Sequence, residues 1–158
     1  MKRFRGLVLF KVNKKAAKEG ESGIKSLFPR IFDLVSEIPA GQVSTYGQIA
    51  FICSAPTARV VGFAVAGLPD GSDVPWHRVV NSMGKLSPRK DGVESLEQRR
   101  RLHEEGVFLD KQGRVNFKSH AWRGPSWAWL AAHDYDLDDL ALKSTGLKRQ
   151  GIWCRWPF

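Results

Sequence analysis

Thr45-Tyr46-Gly47-Gln48-Ile49-Ala50-Phe51-Ile52-Cys53, then Pro56-Thr57, then Ala58-Arg59-Val60-Val61-Gly62-Phe63-Ala64-Val65-Ala66-Gly67 is the stretch whose reading decides the fold. Thr45 followed by Gln48 has the form of a capping box, which opens a helix by satisfying amides of its first turn. That helix runs through about Cys53, with Ile49 and Ile52 inward. Pro56 and Thr57 break and restart the chain, and 58–67 is a second helix rich in small residues. Two short helices joined by a tight turn form a helix-turn-helix, a frame that reads DNA in many proteins and is purely structural in others.

Upstream, Leu27, Ile31, Leu34, Val35 and Ile38 recur at helical spacing, widened by Phe28 and Phe32, so a helix is expected over 27–38 with Pro39 ending it. Downstream, Pro69, Gly71 and Pro75 mark loop, and Val79-Val80 is a short strand-like run. The segment from Lys85 to Gly92 is an exposed basic loop of wing-like character. Ser95 with Gln98 makes a second capping box for a helix that stops at Gly106. Val107–Leu109 and Val115–Phe117 read as a hairpin. The expected fold is mainly α with a small β component.

The chain has 158 residues, enough for one ordinary domain plus tails. It contains no run near the roughly 18 apolar residues of a membrane span, and the apolar run after its basic opening is too short for a signal peptide and is followed by no small-residue cleavage site. The two cysteines, Cys53 and Cys154, form no disulfide framework and no zinc spacing, so no metal or cofactor is expected and a reducing cytoplasm fits. Net charge is +9, which suits a polyanionic partner. Eight Lys/Arg against two Glu fall in residues 1–26, and the centre is only mildly basic, so total charge alone cannot carry a DNA reading. A solvated arm and a DNA-contacting arm fit this first segment equally well. Residues 126–158 carry aromatic and acidic runs without a motif; a docking appendage and a poorly ordered tail both remain open.

Arg59 falls in the first turn of the second helix, where the helix dipole disfavours a cation. Pointing into a DNA groove would explain it, as would an exposed ion pair. Tyr46 stands beside the hydroxyls of Ser44 and Thr45, a group that could meet a phosphate; an ordinary half-buried tyrosine is the plainer reading. The glycine and alanines after Arg59 leave the helix face thin, for nucleic acid or for a packed neighbour.

These signals fall in one order: Gly41-Gln42-Val43-Ser44-Thr45-Tyr46-Gly47-Gln48-Ile49-Ala50, Ala58-Arg59-Val60-Val61-Gly62, Pro75-Trp76-His77-Arg78-Val79-Val80, and Glu104-Glu105-Gly106. In that order they resemble the DNA-binding domain of the O6-alkylguanine-DNA alkyltransferases (methylated-DNA-protein-cysteine methyltransferases) over about residues 27–123. The family signature Pro-Cys-His-Arg-Val has tryptophan here in place of the reactive cysteine, the mark of the alkyltransferase-like branch. A thiolate can accept an alkyl group; an indole has no nucleophilic lone pair to do so. Twenty-six residues before the match are too few for the family's separate amino-terminal domain. The resemblance implies a winged-helix-like DNA-binding domain at 27–125, between a basic arm at 1–26 and an extension of unassigned role at 126–158.

Roles follow from the resemblance, position by position. Arg59 matches the finger that fills the gap left by an extruded nucleotide. Tyr46 matches the tyrosine that rotates the 3′ phosphate, with Ser44, Thr45, Thr57, Ala58 and Gly62 along the DNA face. Trp76, Arg89, Val80, Asn81, Tyr46 and Ser87 would line the lesion pocket, with Arg89 stacked on the alkylated guanine and Asn81 at the hinge. His77 and Glu105 match the relay that draws the thiol proton in the enzymes; with no thiol, they are expected as structural remnants rather than catalytic groups. The implied function is non-catalytic recognition of O6-alkylguanine in double-stranded DNA by nucleotide flipping, flagging the lesion for nucleotide excision repair. The implied protein is a monomer, associated with a nucleoid or nucleus. Two rivals stand beside this reading: a winged-helix regulator of undamaged sequence, and an active transferase with its cysteine relocated to Cys53 or Cys154.

Overall fold

The computed structural model describes residues 26–87 and 95–141. Residues 1–25 of the expected arm, the basic loop tip with Arg89, and Cys154 lie outside the described residues. Helix α1 spans Phe28–Ser36, with Pro29 in its first turn, where a missing N–H costs nothing. Its buried face is Ile31, Leu34 and Val35. The helix stops two residues short of expectation. Pro39 disfavours helical backbone at Ile38, and the amides of Glu37 and Ile38 bond back only three residues, to Leu34 and Val35.

Helices α2 (Tyr46–Ile52) and α3 (Ala58–Ala66) form the expected helix-turn-helix. The turn carries Ser54 in the left-handed region (φ 53°), and the Ala55 amide closes it onto the Ala50 carbonyl at 2.8 Å. Thr45 caps α2 by accepting from the Gln48 amide at 3.0 Å. The reciprocal half of the capping box is replaced by longer-range bonds. Gln48 accepts from the Ser44 hydroxyl and donates to the Trp122 carbonyl, tying the helix start to a distant segment. Helix α4 (Leu96–Glu104) repeats the pattern: Ser95 caps it, while the buried Gln98 side chain donates to the carbonyls of His77 and Val79.

Strands β1 (Ser44–Thr45) and β2 (Val79–Val80) pair in parallel, Ser44 with Val79 and Thr45 with Val80. This ladder sets the start of the helix pair beside the Trp76–Arg78 turn. Alternation along β2 sends its two valines into separate cores. Val79 joins α1, α2 and α3 in the main cluster, and Val80 joins Val43, Leu86, Leu102, Val107 and Val115.

The hairpin is much reduced. Leu109 and Val115 form one antiparallel bridge, while Lys85 bridges Arg114. Phe117 opens a short helix, α5 (Phe117–His120), because the Asn116 side chain caps it. The boundary expected at residue 125 also needs correction. Helix α6 (Trp127–Ala132) follows, and Leu130, Tyr135 and Leu140 are buried in the main core. Residues 127–140, where the sequence left a docking appendage and a poorly ordered tail open, thus contribute to the same core. No helix among the described residues is long and apolar enough to cross a membrane.

Candidate nucleic-acid interface and pocket

Trp76, His77 and Arg78 form one 3₁₀ turn after Pro75. Below it, Glu105 at the end of α4 gathers donors. His77 Nε2 stands 2.8 Å from Oε1, Arg78 Nη2 lies 2.7 Å from the same oxygen, and Arg78 Nε lies 3.0 Å from both oxygens. The Gly41 amide donates to Oε2 at 3.1 Å, presented by backbone at φ +80° that suits glycine. Burial opposes ionisation of Glu105, but Arg78, His77 and the Gly41 amide outweigh it and bring its pKa down to about 2. Arg78 also donates to the Ile38 carbonyl at 2.6 Å, locking the turn to the end of α1.

With Glu105 ionised, His77 Nε2 carries the proton of that bond. Burial lowers the His77 pKa, so the ring is neutral at pH 7. Its Nδ1 is buried without a partner among the described residues. The expected His77–Glu105 pair is thus assembled, and Arg78 joins it, a partner the sequence reading did not assign. Trp76 packs half-buried against the main core, edge-on to His77 at 6.2 Å, with the Arg101 guanidinium 5.7 Å from its ring centre. Arg101 is in turn held by Glu97 at 2.7 Å. Arg78 was present in the quoted motif; the signal for Gln98 was a capping glutamine in a helix with few apolar residues.

Tyr46 is half-buried at the start of α2 and accepts a hydrogen bond from the Ser87 hydroxyl at 3.1 Å. Burial raises its pKa, so the phenol keeps its proton as a donor. These two expected residues stand together. Three others take structural places. Val80 is fully buried in the second core and lines no open pocket. Ser44 is 1% exposed with its hydroxyl bonded to Gln48, which removes its side chain from the DNA face. The Asn81 side-chain oxygen accepts from the amides of Met83 and Lys85, turning the chain into the basic loop.

Thr57, the residue before α3, and Ala58 and Arg59 in its first turn are exposed, and a Cβ at Gly62 would meet no described atom within 4 Å. Packing among the described residues therefore does not require a glycine there. An open cleft of about 460 Å³ lies beside Pro75, His77, Arg78 and Arg101, and none of the five expected pocket residues that are described, Trp76, Val80, Asn81, Tyr46 and Ser87, lines it. Cys53 is buried, and burial pushes its thiol pKa up. Among the described residues, no group of three or more His, Cys, Asp or Glu stands together to hold a metal.

The family model described as the 6-O-methylguanine DNA methyltransferase DNA-binding domain matches residues 26–107. A DNA base-flipping protein of Vibrio parahaemolyticus is 40% identical over 95 residues, covering 60% of this chain and 93% of its own. Alkyltransferase-like protein 1 of Schizosaccharomyces pombe is 40% identical over 101 residues, covering 61% and 94%. The crystal structure of S. pombe Atl1 in complex with damaged DNA containing O6-carboxymethylguanine superposes with a TM-score of 0.56 at 39% identity, over 62% of this chain and 95% of that one. Helix pair, tryptophan turn and glutamate cluster all fall within the matched region or at its edge, and the chain belongs to the 6-O-methylguanine DNA methyltransferase family through that family's DNA-binding domain.

Proposed function

We propose that this protein binds O6-alkylguanine in duplex DNA by swinging the nucleotide out of the stack, and that it transfers no alkyl group. The observation that carries the reading is the Trp76 turn. Trp76 stands next to an assembled His77–Glu105 pair, and an indole offers that pair no thiol to deprotonate. Cys53 is no substitute, being buried and held in its thiol form.

Flipping costs a few kcal/mol of pairing and stacking, less for a lesion that already pairs badly. Arg59, exposed on α3, offsets that loss by entering the vacated stack from the minor groove. Tyr46, whose hydroxyl accepts from Ser87, keeps its own proton to donate to the DNA backbone or the extruded base. O6-alkylation removes the N1 proton of guanine, so the flipped base offers an acceptor where normal guanine offers a donor. Arg89 would supply a guanidinium to the base face, a contact of about 1–2 kcal/mol when desolvated. A monomer that holds a lesion without consuming itself is suited to flag it for excision repair.

The test compares two duplexes that differ only by an O6-methyl group, at fixed salt, followed by intact-protein mass. Tighter binding to the methylated duplex with unchanged protein mass is expected. Equal affinity would favour a sequence-reading regulator, and a gain of one methyl group would make the protein a transferase.

A further inference from the structure

Helix α3 buries Val60, Val61, Ala64 and Val65, and leaves Ala58, Arg59, Gly62, Phe63 and Ala66 on its outer side. The outer side of a surface helix ordinarily carries several polar groups. This one carries one cation, one aromatic ring and otherwise small residues. Phe63 is 60% exposed, one helical turn beyond Arg59, and the Arg59 guanidinium lies over its ring, 5.5 Å from the centre. Residues four apart on a helix are neighbours, so the pairing needs no distortion. Nothing in the core accounts for Phe63, because the apolar demand of α3 is met by the four residues on the opposite side.

We propose that Phe63 is a positioning residue for Arg59, a shelf that holds the finger extended before it meets DNA. The inference rests on the damage-binding reading and adds to it a residue that the family likeness does not supply. An arginine side chain carries about 2 kcal/mol of rotamer entropy, and part of it is lost whenever the side chain is confined in a complex. A guanidinium already stacked on Phe63 has lost some of that freedom in the unbound protein, so less is lost on insertion. The ring also shields one face of the guanidinium from water. Gly62, between the two residues and open to space, lets the duplex approach the shelf closely.

The experiment is a double-mutant cycle on the full chain, read as the dissociation constant for an O6-methylguanine duplex. The proteins are wild type, Arg59→Ala, Phe63→Ala, the double variant, and Phe63→Leu. Phe63→Ala should weaken binding measurably, by at most about fivefold, the ceiling set by an exposed cation–π contact of about 1 kcal/mol. In the Arg59→Ala background the same substitution should do little, because the residue through which it acts is gone. Phe63→Leu, apolar but without a π face, should behave like Phe63→Ala. Because Phe63 is exposed, thermal midpoints should stay at the wild-type value, showing that each variant folds.

A Phe63→Ala protein that binds as wild type overturns the inference. So does an equal loss in both backgrounds, which would make Phe63 a direct DNA contact, and so does wild-type behaviour of Phe63→Leu. If Arg59→Ala itself leaves binding unchanged, the damage-binding scheme falls first and the shelf with it. Loss on Arg59→Ala with no effect of Phe63→Ala removes only the shelf.

Discussion

At the scale of single residues, Glu105 governs how the protein responds to acid. Its pKa drops from an ordinary 4.5 to about 2 because Arg78, His77 and Gly41 donate to the charged form against the cost of burial. His77 is shifted below its ordinary 6.5, chiefly by burial. Both shifts act with the same sign. Below about pH 6.5 the unfolded chain gains a proton on His77 that the folded chain resists, and below about pH 4.5 it gains one on Glu105. Stability is therefore complete above pH 6.5 and declines in two stages, the second spanning roughly pH 4.5 to 2. Urea melts across this range should trace that decline, and Glu105→Gln should flatten its lower stage. At neutral pH the same substitution should cost about 3–5 kcal/mol, since it leaves the half-buried Arg78 guanidinium without its counter-charge. An unaltered acid profile in the variant would show that another carboxylate carries the effect. The pairing of His77 with Glu105 was legible through the family likeness. The claim of Arg78 on the same carboxylate was not, because sequence order does not say that adjacent side chains of a 3₁₀ turn reach one acceptor.

At the scale of elements, helical spacing and end signals placed α1 to α4 nearly where they occur, and the parallel β1–β2 pairing joins the start of the helix pair to the strand that follows the Trp76 turn. What the pattern missed has a common cause. Gln48 and Gln98 both sit at a capping-box position, yet their side chains bond to distant backbone, a choice visible only once the chain is packed. The expected hairpin lost its second strand to the Asn116 cap, a local side-chain bond that outcompetes pairing for so short a run. The α3 surface supplies a sharp test. Because a Cβ at Gly62 would meet no described atom within 4 Å and the position lies on the outer side of α3, Gly62→Leu should fold with unchanged or slightly higher stability, by up to about 1 kcal/mol from the helix propensity gained. The same side chain would stand between helix and duplex, and affinity should fall by about an order of magnitude, as for a blocked central contact. Paired melting and binding curves check both halves; a leucine variant that binds normally would remove α3 from the interface.

At the scale of the whole molecule, the packed core extends past the family match, which ends at residue 107. Val43 exchanges hydrogen bonds with His120 and Trp122 at 2.7 and 2.8 Å, and α6 then brings Leu130 and Tyr135 against the helix pair. This was not legible because residues 126–141 have neither helical nor strand periodicity over a useful length; their aromatic residues serve one docking surface from irregular positions. The Tyr135 hydroxyl lies 3.6 Å from the sulfur of Cys53, and the Arg30 guanidinium lies 4.4 Å from the Tyr135 ring centre. The tyrosine acts as a stopper over a thiol, which turns Cys53 into a clock. In a Cys154→Ser background, a colorimetric thiol reagent should develop only as fast as the stopper lifts. Leu130→Ala, which loosens the helix leading to it, should make the clock run faster, whereas colour at the speed of a free cysteine in the unaltered protein would mean that the stopper never seats.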